Sequence, residues 1–127
     1  MSPADQHHLQ AAQGWLELGD WQSANEELEK ISAEMGMHPD LVELRWRIYA
    51  QAKNWSACAD IGKALTQLAP GSAVSWIHHA YALHELKRTQ DAFDVLSPVA
   101  QRFSDGAHDS LQSRLLYGSA WEVGGGA

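Results

Sequence analysis

Cysteine is nearly missing from this 127-residue chain, in which Cys58 stands alone. A single thiol excludes an internal disulfide and any cysteine-rich zinc site, and it favours a reducing compartment. Basic charge is also scarce, with nine Lys and Arg against sixteen Asp and Glu and a formal net charge of -7. That balance argues against the basic surface by which binders of nucleic acid or anionic membranes hold phosphates, so neither is expected as a partner. No apolar run approaches the roughly 18 residues of a membrane span. The polar start, Met1 to His8, does not read as a signal peptide, so a cytoplasmic protein is expected. What the chain does have is 45% hydrophobic residues and six Trp, enough for one small domain over residues 1–127 with a core of its own.

A period of 34 residues organises the chain. Ala24, Cys58 and Ala92 are related by it, as are Leu28, Gly62 and Leu96, then Ile31, Leu65 and Val99, then Trp15, Tyr49 and Leu83. Small or apolar residues fill all four columns, with Gly62 the weakest member. The same step relates Ala12, Trp46 and Ala80, and the polar residues Asp20, Asn54 and Arg88. Three gapless copies follow, at about 5–38, 39–72 and 73–106.

Each copy reads as two amphipathic helices around a short polar turn. Ser2, Pro3 and Asp5 supply a cap, a proline at the first helical position and an acid in the first turn. The first helix then runs to about Leu18, Gly19 takes the left-handed conformation that ends it, and Asp20 caps a second helix running to about Met35. The second copy starts at Pro39-Asp40, turns at Lys53-Asn54 and stops at Pro70-Gly71. Ser72 caps the third, which turns near Lys87-Arg88, and Pro98 should kink its second helix. A further helical pattern at about 109–123 makes a seventh helix. It either caps the last hydrophobic groove or leaves Tyr117 and Trp121 for another copy of the chain to cover. The fold class is therefore all-α, with about seven antiparallel helices.

Sites of chemistry are hard to find in these residues. Seven histidines invite a metal, but His78 and His79 are adjacent, His84 follows His79 by five, and no Cys or carboxylate pattern completes a ligand set. Cys58 shares its column with two alanines and so reads as a small residue at a helix contact rather than a nucleophile. Glu26, Glu27 and Glu29 read as a solvated face, and Gly124 to Gly126 precede no helix that could cradle a phosphate. No cofactor, no metal and no catalytic residue is expected. Of the six Trp, four (Trp15, Trp21, Trp55 and Trp76) fall where helix packs on helix, leaving Trp46 or Trp121 as the one available to a partner.

A unit of this length with these columns resembles the tetratricopeptide repeat, which has Trp, Leu, a small residue and Tyr on its first helix and Ala, Phe, Ala and Pro later. Trp76, Ala80, Leu83, Ala92 and Leu96 carry the resemblance in the third copy, and Tyr49, Leu65 and Pro70 in the second. In the first copy Ala12, Trp15, Gly19, Asp20, Ala24 and Leu28 do so. Departures fall at Arg45, Trp46 and His79. The resemblance implies a right-handed superhelix whose concave groove, lined by the first helices, binds a peptide segment or a partner protein without catalysis. By repeat position that groove would include Leu9, Gln13, Leu16, Glu43, Arg47, Ile77, Tyr81 and His84, with Ile77 and Tyr81 as an apolar anchor. The Lys and Asn clamp with which one subgroup holds carboxylate tails is missing, its places taken by Leu9, Gln13, Val74 and His78. The second reading is a structural, self-assembling unit that associates through the last helix at Tyr117 and Trp121.

Overall fold

The computed structural model describes residues 1–103. They form six α-helices and two 3-10 segments, with no strand: α1 (Pro3–Glu17), α2 (Trp21–Glu29), α3 (Pro39–Gln51), α4 (Trp55–Leu68), α5 (Ala73–Glu85) and α6 (Thr89–Leu96), with 3-10 turns at Ala33–Met35 and Ser97–Phe103. The seventh helix expected at 109–123, with Tyr117 and Trp121, lies outside the described residues.

The turns inside the three helix pairs repeat one geometry. Gly19, Lys53 and Lys87, spaced 34 apart, are the residues with left-handed backbone among those described, at φ of 79°, 59° and 67°. After each of them a backbone N–H reaches five residues back, from Asp20 to Trp15, Asn54 to Tyr49 and Arg88 to Leu83, each at 2.9 Å. This is the Schellman closure, which satisfies carbonyls that the end of a helix leaves open. The next helix starts at once, Asp20 accepting from the Ser23 N–H at 3.0 Å and Asn54 from that of Ala57 at 3.2 Å. Arg88 and Ser72 occupy the corresponding starts of α6 and α5 without a side-chain cap bond.

Two helices end earlier than their periodicity suggests. α2 stops at Glu29 because the Ser32 N–H, which a longer helix would give to Leu28, goes instead to the Asp5 carboxylate at 3.0 Å. The Ser32 hydroxyl donates to the same group, and Asp5 is 5% exposed. These bonds from Ser32, backbone first, hold the Asp5 carboxyl below its ordinary range. α6 ends at Leu96, so Pro98 kinks no α-helix. Lacking an N–H, it lies in the tighter 3-10 turn Ser97–Phe103 that continues the chain.

Packing is serial, each helix resting on the ones before and after it. One apolar cluster joins α1 and α2 to α3 through Leu9, Ala12, Leu16, Ala24, Leu28, Leu41, Leu44 and Ile48. A second joins α3 and α4 to α5 through Val42, Trp46, Cys58, Leu65 and Ala82, and a third holds Ala80, Leu83, Ala92, Leu96 and Val99 on α5, α6 and the last turn. The first and second hairpins therefore each bury their apolar stripe partly against the next. The end of the described chain is tied back to the α4–α5 loop. Trp76 Nε1 and Arg102 Nη2 both donate to the Pro70 carbonyl at 2.9 Å, and the Arg102 guanidinium lies 5.5 Å from the Trp76 ring centroid.

Candidate interaction surface

The first helices of the three pairs stand side by side. Gln51 Nε2 on α3 donates to the Leu16 carbonyl of α1 at 2.8 Å, and His78 Nε2 on α5 lies 3.2 Å from Glu43 Oε1 on α3. α1, α3 and α5 thus form a continuous row, and the groove residues expected from repeat position divide along it into three groups.

Gln13 and Arg47 are exposed, and Glu43, Ile77 and His84 are half-buried. His84 Nδ1 lies 3.2 Å from Thr89 Oγ1, and burial, with Lys87 adding to it and Glu85 opposing, lowers its pKa. Leu9 and Leu16 are not groove residues: at 8% and 3% exposure they fill the first apolar cluster beneath Leu41, Leu44 and Ile48. Burying two such side chains contributes more than solvent contact would, since each is worth about 1.5–3 kcal/mol. Tyr81 is half-buried rather than an open anchor. Its ring sits 5.6 Å from that of Trp55 and edge-on at 6.2 Å to that of Trp46, and burial raises its hydroxyl pKa.

The tryptophans divide differently from expectation. Trp46, one of the two read as available to a partner, is 7% exposed, whereas Trp15, read as core, is 39% exposed; the other, Trp121, lies outside the described residues. Trp46 stands where the repeat has a small residue, yet α3 and α4 still meet closely there because Cys58 offers no bulk. Its Sγ lies 3.5 Å from the Trp46 carbonyl. The indole turns away to α5 and stacks on His78 with ring centroids 3.8 Å apart and planes 9° from parallel. Burial pushes the Cys58 thiol up to about 12, so it stays protonated and packs as a small apolar group.

Gly62 is the second departure with a structural consequence. A Cβ there would meet His79 Cα at 2.6 Å and His79 N at 2.8 Å, so the backbones of α4 and α5 touch directly. Leu28 and Leu96 hold the same column in the other pairs. Trp46, Gly62 and His79 therefore belong to one seam, where the second hairpin meets the third. Their shared departure from the repeat is a signal in the sequence, and only packing shows that it is one signal.

Among the described residues no group of three or more His, Cys, Asp or Glu is placed to hold a metal ion, and no helix is long and apolar enough to cross a membrane. Comparison with protein families, with curated proteins and with solved structures finds no match to the chain.

Proposed function

We propose that the chain is a non-enzymatic interaction module of the tetratricopeptide type. In this reading its stacked hairpins form a right-handed superhelix and hold a peptide segment or partner protein against the row made by α1, α3 and α5. The observation that carries the reading is the recurrence, at 34 residues, of the left-handed residue and the 2.9 Å closure after it. One turn geometry used three times gives one hairpin used three times, and hairpins so stacked present their first helices as a surface.

The row offers the mixture a polypeptide ligand needs. Gln13 and Arg47 supply polar contacts, Val74 at 44% exposure and the half-buried Ile77 supply apolar area, and Glu43 and His84 flank them. An extended or helical segment laid across the three helices would meet each in turn.

Site-specific photo-cross-linking tests this. A photoreactive residue at Gln13 or Arg47 should capture one and the same protein in cells, and the same residue at Gln22 or Gln67, exposed on α2 and α4, should not. Capture from the second helices alone would place the binding face on the other side and refute the assignment.

A further inference from the structure

One side of α1 differs from the matching side of α3 and α5. In α3, Leu41 and Ile48 are buried in the cluster shared with α1 and α2. In α5, Ala82 is buried in the cluster shared with α3 and α4, and Leu83 is buried beside Ala59 of α4. These are the places by which a hairpin rests on the one before it. At the same repeat positions α1 holds His7, Gly14 and Trp15. With Ala11 and Leu18 at helical spacing they make a stripe on the side of α1 away from Leu9, Ala12 and Leu16. Among the described residues the stripe is left open: Leu18 is 76% exposed, Trp15 is exposed beside it, and a Cβ on Gly14 would meet nothing within 4 Å.

Charge and size narrow the occupant. The stripe holds no acid, in a chain whose net charge of -7 sets copies against one another wherever acids meet. Of the two acids on α1, Asp5 is buried and takes the Ser32 N–H and hydroxyl, and Glu17 stands exposed at the C-terminal end. At the other end stand the exposed His7 and the partly positive helix N-terminus. Two α1 helices laid antiparallel along this stripe therefore set Glu17 of each beside His7 and the N-terminus of the other, whereas a parallel pair would set Glu17 beside Glu17. The same rotation lays the bulky Trp15 over the small Ala11, Leu18 over His7, and the two Gly14 backbones next to each other. Gly62 shows what glycine permits in this fold, since α4 and α5 touch there backbone to backbone. The stripe thus complements itself in both charge and volume.

We propose that the stripe binds the same stripe of a second copy of the chain, two α1 helices packing antiparallel about a two-fold axis. Being isologous, the contact closes at a dimer. One helix pair buries less than the roughly 1,200 Å² at which stable interfaces begin, so the dimer is a transient one of about micromolar affinity or weaker. Well below that concentration the chain is a monomer, in which a substitution at Gly14 acts on the helix alone. Gln13 lies on another side of α1, so the row made by α1, α3 and α5 stays open in the dimer, and the pairing stands or falls independently of the protein-binding reading.

Sedimentation equilibrium of the full chain from about 1 μM to about 1 mM tests it. The mass should rise from one chain to two and stop there. Leu18→Ser and Gly14→Leu should each raise the dissociation constant at least about tenfold. Both keep the fold, since one side chain is exposed and the other position opens on empty space. Glu17→Lys should weaken the dimer too, although it lowers the net negative charge and so the general repulsion between copies. A monomer throughout, or a mass that keeps rising beyond two chains, would overturn the proposal. So would a dimer that Leu18→Ser and Gly14→Leu leave intact, or one that Glu17→Lys leaves unchanged or strengthens.

Discussion

Replacing Gly62 by alanine tests the seam between the second and third hairpins, because two effects of known size oppose each other there. In a helix interior alanine is favoured over glycine by about 0.8–1 kcal/mol. At Gly14 of α1, where a Cβ would meet nothing within 4 Å, that gain should appear in full, and Gly14→Ala should raise stability by about 1 kcal/mol. At Gly62 the added methyl lands 2.6 Å from His79 Cα, and the obstacle is backbone that no rotamer change can move. The helices would have to part by roughly an ångström, loosening the stack of Trp46 on His78, and such overpacking costs about 1–3 kcal/mol. The net expectation is a loss of up to about 2 kcal/mol, opposite in sign to the gain at Gly14. Urea unfolding followed by circular dichroism measures both variants on the same scale. A Gly62→Ala protein as stable as the Gly14→Ala protein would refute the close backbone contact of α4 and α5.

Three further outcomes follow from the same geometry. Lys53→Gly and Lys87→Gly should each stabilise by about 1 kcal/mol, since left-handed backbone costs a residue with a Cβ roughly that much; thermal melts that do not rise would count against the turn geometry. Trp46→Ala should cost about 3–5 kcal/mol, as for a buried aromatic, and should abolish the near-ultraviolet signal of the cluster with Trp55, His78 and Tyr81; a near-parental melting curve would show Trp46 to be exposed. The third concerns pH. Burial first, then Lys63 and Arg88, lowers the pKa of His79 from 6.5, and the other charges around its cleft are Asp60, Asp91 and Asp94. A depressed histidine binds its proton less readily folded than unfolded. Its contribution is therefore present above pH about 6.5 and lost as pH falls below it. His79→Leu should flatten the decline in stability through that range, leaving the slope due to His84, whose pKa is lowered in the same direction. Parallel curves for parent and variant would refute the assignment.

Legibility followed the range of the forces involved. Helix starts and stops depend on residues a few positions apart, so Ser2-Pro3, Gly19-Asp20, Pro39 and Asn54 marked boundaries that the structure places within a residue or so. The end of α2 is not legible locally, because it depends on Asp5, 27 residues from Ser32, whose carboxylate takes the Ser32 N–H out of the helix. Register alone points Leu9 and Leu16 to the groove. Their burial depends on how closely α3 lies on α1, which the first hairpin cannot encode by itself.

The all-helical class, the 34-residue period and the three turns were determined by the sequence alone, because each rests on local hydrogen bonding and on an amphipathic stripe repeated without a gap. Tertiary structure alone decided which side of each helix is buried where hairpins meet. It turned Trp46 inward to His78, closed α4 on α5 at Gly62, took Tyr81 out of open solvent and left His79 beside a charged cleft. The reason is physical. A helix's own bonds are satisfied along the chain, while the fit between two helices is set by volumes that meet only after both have formed.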